Sequence, residues 1–242
     1  MMVYVLIGVA IIFVILLCVG LAIASFSGEN FGNELQKAKG FRNTYGFTSV
    51  GFVGEINKRH FNNKLVIAGA KPHNDHYNDG VVSLSEETIT SSSLASIATI
   101  AHELGHARQD FEGDTLKKHF RLRKAGRIVG LLFMPLLLSG VVLSALYFLH
   151  VIPTKASLII GFVCLGISLL LFLFALFLKY REIAIEKQAS QYAIEFLEEY
   201  LTDIEVSLCK DFLDSARLTY WADFFKALLS WTMLTSKNKI FY

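Results

Sequence analysis

The chain has 242 residues, of which 53 % are hydrophobic and only 18 % charged, and its formal net charge is +2. That composition is too apolar for an ordinary soluble domain and marks an integral membrane protein; with its basic residues gathered against an apolar run, the chain carries no nucleic-acid footprint. The three cysteines, with Cys18 and Cys164 inside apolar runs, make no disulfide framework.

Residues 1–28 hold no charged side chain. At about 1.5 Å per residue the run exceeds the roughly 30 Å of bilayer hydrocarbon, so it can span. Ala22-Ile23-Ala24 has the small residues of a signal-peptide cleavage site, but no Lys or Arg precedes the run, and it reads as an uncleaved anchor.

Residues 29–127 form the first polar region. Glu29 to Arg42 has the pattern of a short amphipathic helix with a loop, and Ser49 to Val53 and Leu65 to Ala68 have the apolar and β-branched content of strands. The turn-rich segment 71–80 follows, and then Val81 to Leu84, expected as a strand antiparallel to Leu65–Ala68. An edge there would take an extended peptide by strand addition, which makes Val82 and Ser83 candidate substrate-binding residues. Within the turn, His73 and Asp75 read as loop formers, while His76 and Tyr77 are the candidates for a place in the site.

The stretch Ser91 to Ala107 contains H-E-x-x-H at His102, Glu103 and His106. A serine run supplies the N-cap, no proline interrupts it, and Leu94, Ile97, Ala101 and Leu104 recur at helical spacing. On a helix His102 and His106 point the same way and can share one Zn²⁺, with Glu103 beside it as general base for a metal-activated water. Gly105 weakens the helix but lets another element approach closely.

Gly113 breaks the pattern and Asp114 can cap a new helix. Six basic residues (Lys117, Lys118, Arg121, Arg123, Lys124, Arg127) then precede an uncharged run over 128–149, with Pro135 as a possible kink, and a second uncharged run covers 156–178. Lys179 and Arg181 follow it, against Lys155 alone in the connecting loop. The positive-inside rule therefore puts both flanks in the cytoplasm, the N-terminus outside and residues 29–127 on the cytoplasmic side. A third protein ligand must come from that side. Residues 179–242 qualify, and Glu182 and Glu186 are the rivals, Glu186 lying roughly 10 Å beyond Lys179 on a continuous helix. The aromatic stretch 218–234 is interrupted by Asp223 and Lys226, which favours an interfacial or packed helix over a fourth span.

From Asp75 to Leu234 the chain resembles the bacterial membrane-bound neutral zinc metallopeptidases of the YugP-like family, related in scheme to the HtpX-like gluzincins. The matching pieces are Asp75-His76-Tyr77, Val81 to Glu86, Ser96-Ile97-Ala98, His102 to Asp110, Glu186 to Ser190 and Leu218-Thr219-Tyr220. Asn78 departs from the aspartate expected after Asp-His-Tyr, and the region before Asp75 matches weakly. The resemblance implies His102, His106 and Glu186 as Zn²⁺ ligands, with Glu186 preferred over Glu182, and Glu103 as the base. Ser190 stands where related gluzincins often carry an aspartate that holds a ligand histidine. Tyr220 is a candidate oxyanion donor.

The expected fold is mainly α-helical with three transmembrane helices, or four if 218–234 also crosses, and a small cytoplasmic α+β zincin-like region. The expected function is zinc-dependent endopeptidase activity at the cytoplasmic surface of a bacterial plasma membrane, acting on peptides or proteins that include membrane proteins. An intramembrane protease and a non-catalytic adaptor are the alternatives. Arg108-Gln109-Asp110 argues against the first and an intact Glu103 against the second.

Overall fold

In the computed structural model, which describes residues 2–113 and 115–229, the chain is mostly helical with one small sheet. Its elements in order are α1 (Met2–Gly40), α2 (Ser49–Phe61), β1 (Val66–Ala70), β2 (His76–Asn78), β3 (Val81–Ser85), α3 (Glu86–Thr90), α4 (Leu94–Glu112), α5 (Thr115–Phe148), α6 (Lys155–Glu198) and α7 (Asp203–Leu229). Two compact units share the chain, one formed by Met1–Leu116 with Ile183–Phe225 and the other built around Lys117–Glu182.

In the first unit, the helix expected over 29–42 is the end of α1, which runs unbroken to Gly40. The strand expected over Ser49–Val53 is instead the start of α2. Thr48 caps it, its hydroxyl accepting from the Gly51 N–H at 3.2 Å, and Phe52, Val53, Ile56 and Phe61 bury one face at helical spacing. A β-branched opening misleads there because the apolar period only declares itself over the full thirteen residues.

The sheet order is β1-β3-β2, and this corrects the expected hairpin. β1 pairs with β3 in parallel, Val66 opposite Val81, and the antiparallel partner of β3 is β2, with Tyr77 opposite Val82. The segment 71–80, read as turn throughout, hides that short strand. Its tight turn is Asp79-Gly80, both at positive φ (45° and 82°), the conformation that matches the twist of a two-residue hairpin. β3 is therefore the central strand, so Val82 and Ser83 have neighbours on both sides and offer no edge.

The core of this unit joins Phe52 and Ile56 of α2, Leu84 of β3, Leu94, Ile97, Ile100 and Leu104 of α4, and Phe196 and Leu197 of α6, all fully buried. At the start of α7, Glu205 reaches back to the preceding turn and accepts from the Thr202 N–H at 2.9 Å and hydroxyl at 2.8 Å. Its other oxygen takes the Thr44 N–H and hydroxyl, at 2.6 and 2.8 Å, which ties the α1–α2 loop to α7. Near the described end of α7, Phe225 lies against Gly20 of α1, where any Cβ would collide with the ring. The aromatic stretch 218–234 begins inside α7; residues 230–234 lie outside the described residues, as does Asp114.

Among the described residues two helices are long and apolar enough to cross a membrane, Lys124–Phe148 within α5 and α6. Within the second unit Gly140, Ser144 and Gly161 let α5 and α6 approach closely, and α6 turns Ile159, Leu170 and Phe177 outward at 62 %, 67 % and 55 % exposure.

Candidate metal centre

α4 is capped by Ser93, whose hydroxyl accepts from the Ser96 N–H at 3.3 Å, and its buried face is the predicted apolar stripe. That face sets the helix rotation, which leaves His102 and His106 one turn apart on an adjoining face. Across from them runs α6. Gly105 is what allows the approach: a side chain there would run into the Ala189 backbone carbonyl. Glu186, one turn before Ala189, is 2 % exposed and reaches both histidines, with Oε2 3.2 Å from His102 Nε2 and 3.3 Å from His106 Nε2.

The donor set suits zinc. Two imidazole nitrogens and one carboxylate oxygen lie within 4.8 Å of one another, and two ligands each about 2.0 Å from a tetrahedral ion stand about 3.3 Å apart, the separation seen here between Glu186 and each ring. The second nitrogen of each ring is also occupied. Ser190 Oγ lies 3.2 Å from His102 Nδ1, and Gln109 Oε1 lies 2.9 Å from His106 Nδ1, so both Nε2 atoms are turned to the common point.

A family model described as "Putative neutral zinc metallopeptidase" matches residues 10–237. The chain belongs to this family. No curated protein and no solved structure matches it. Membership implies zinc as the cofactor, and His102, His106 and Glu186 are the group among the described residues that can hold it.

The charged groups of the candidate centre act on one another. Burial works to raise the Glu186 carboxyl, and the two histidines outweigh it and hold the group well below the ordinary carboxylate range. Burial likewise works to lower His106, but Glu186 beside it holds the ring up to about 9. Glu103 keeps a partial opening to solvent, yet the protein around it desolvates it enough to raise its carboxyl. Its Oε2 accepts from the Tyr77 backbone N–H at 2.7 Å.

The remaining expected residues fall in different places. Tyr77 is 6 % exposed, and its hydroxyl donates to Asp110 at 2.8 Å and accepts from the Gly80 N–H at 2.8 Å, so the side chain is spent on holding β2 to α4. His76 sits on β2 with Nδ1 2.9 Å from the Asn74 carbonyl and is not one of the group of three. Val82 is fully buried in the core and Ser83 lies in the central strand, which removes both from a substrate edge. Glu182, the rival ligand, instead pairs with Lys179 at 2.9 Å. Tyr220 donates to Glu186 Oε2 at 3.0 Å. No rule of residue type points to Gln109 or Asp110; spacing alone does, since they follow His106 by three and Glu103 by seven and so share their faces of α4.

Proposed function

We propose that the protein is a membrane-embedded zinc endopeptidase of the YugP-like kind, cleaving peptide bonds at the cytoplasmic membrane surface. The observation that carries the reading is the convergence of His102 Nε2, His106 Nε2 and Glu186 Oε2 beside a glutamate held by the Tyr77 backbone N–H.

In this reading His102, His106 and Glu186 hold the zinc. When bound, the ion supplies a Lewis acid that acidifies water and polarises a peptide carbonyl. Glu103, anchored through Oε2, takes the proton of the attacking water on Oε1 and passes it to the departing amide nitrogen. Its raised proton affinity suits the uptake of that proton. Tyr220, whose hydroxyl already reaches Glu186, donates to the carbonyl oxygen as charge develops there.

Membrane embedding is supported by the two long apolar helices and by the large apolar side chains α6 turns outward, a surface that a water-soluble protein would cover. A site at the surface, not inside the bilayer, is supported by α4 itself, which carries Arg108, Asp110 and Glu112 and buries its apolar face in a protein core. Glu186 stands eight residues after Leu178, the end of the apolar run of α6.

The test is cleavage of an unfolded protein such as reduced casein by detergent-purified enzyme. Wild type cleaves, and Glu103→Gln retains zinc without cleaving. Equal cleavage by both proteins would remove Glu103 from the chemistry.

A further inference from the structure

Gln109 is 1 % exposed and lies between the two helices that build the centre. Its Nε2 is 2.8 Å from the Ile185 backbone carbonyl and 3.1 Å from Gln188 Oε1, and its Oε1 is 2.9 Å from His106 Nδ1. We infer that Gln109 is a positioning residue that fixes the tautomer of His106, holding the proton on Nδ1 so that Nε2 presents its lone pair to the metal. The inference rests on the metal reading proposed above.

The directions of the hydrogen bonds decide the tautomer. A backbone carbonyl only accepts, so the Gln109 amide must turn its NH₂ to Ile185, and the oxygen is then what faces His106. An amide oxygen has no proton to give. His106 Nδ1 must therefore be the donor.

A second chain of bonds enforces the same orientation from the other end. Tyr192 donates its hydroxyl to Glu112 Oε2 at 2.5 Å, because a carboxylate can only accept. The Tyr192 oxygen thus accepts from Gln188 Nε2 at 3.2 Å, which turns Gln188 Oε1 to Gln109 Nε2. From His106 through Gln109, Gln188 and Tyr192 to Glu112, each hydrogen bond along the path has one donor and one acceptor. Such a chain polarises each of its members, and it makes the Gln109 oxygen a better acceptor than an isolated amide.

Gln109 also clamps α4 to α6, so the test must separate tautomer control from the clamp. Gln109→Leu removes both. Gln109→Glu keeps an oxygen for His106 Nδ1 but sets a carboxylate against the Ile185 carbonyl, so it loses the clamp and keeps the positioning. Zinc affinity of the full-length, detergent-purified chain is measured by chelator competition, with thermal unfolding of the metal-free proteins alongside. The expected result is zinc binding weakened about 10- to 100-fold in Gln109→Leu and restored to within about threefold in Gln109→Glu, although both metal-free variants lose stability. Gln109→Leu binding zinc like wild type, or Gln109→Glu as weak as Gln109→Leu, overturns the role.

Should Gln109→Leu fail to fold, long-range ¹H–¹⁵N spectra of zinc-loaded wild type with labelled histidines decide the matter. They are expected to show a protonated Nδ1 on the ring that Gln109→Glu perturbs, and a ring protonated at Nε2 overturns the inference. Wild type that takes up no zinc would overturn the metal reading itself; zinc bound equally by wild type and Gln109→Leu would overturn only the part played by Gln109.

Discussion

Gly105 lies so close to the Ala189 carbonyl that no side chain fits between them, and this contact sets the distance from both histidines to Glu186. The obstructing atoms are backbone, which cannot swing aside as a side-chain tip would. Gly105→Ala is expected to cost about 1–3 kcal/mol in thermal unfolding, despite the better helix propensity of alanine, and to reduce bound zinc. Unchanged stability and zinc content would show that the helices are not held at that spacing.

Glu103→Gln is nearly isosteric, and its side-chain oxygen can still accept from the Tyr77 N–H. Peptidase activity should fall by about 10²- to 10⁴-fold with zinc content unchanged, since a proton acceptor is lost and no metal ligand is. Paired activity and elemental measurements on one preparation check it.

Tyr77→Phe leaves the Gly80 N–H and the Asp110 carboxylate without the hydroxyl that joins them. A stability loss of about 1–3 kcal/mol is expected. Because the Tyr77 backbone also positions Glu103, kcat should drop by about tenfold or more with little change in zinc content. Loss of zinc instead would place Tyr77 in support of the metal and not of the base.

Glu205 gives a pH dependence remote from the metal. Burial works to raise its carboxyl, and the hydrogen bonds from Thr202 and Thr44 outweigh this and hold it below the ordinary range. A carboxylate depressed in the folded state adds stability that is present above its unfolded pKa of about 4.3 and lost as pH falls through the folded value. Thermal unfolding of wild type should therefore drop more steeply below about pH 4.5 than that of Glu205→Gln. Parallel pH profiles would contradict this.

The sequence discloses some of this architecture and conceals the rest for physical reasons. α4 is legible because its cap, apolar stripe and metal motif share one helical period, and the long apolar runs of α5 and α6 are legible from length alone. The meeting of Glu186 with His102 and His106 is anticipated by family resemblance, while pattern leaves Glu182 open; the distinction depends on which side of α6 faces α4, and Gly105 with Ala189 decides that in three dimensions. β2 is hidden because three residues among turn formers carry no period, and with it goes the sheet order. Spacing places Gln109 on the face of His106, but its part depends on a carbonyl 76 residues away.

Whether His102, His106 and Glu186 together hold zinc is read by elemental mass spectrometry of the purified protein. About one zinc per chain is expected in wild type and in Glu182→Ala, and loss of the metal in His102→Ala and Glu186→Ala. Zinc retained in Glu186→Ala, or wild type that stays empty after zinc loading, would contradict this ligand set.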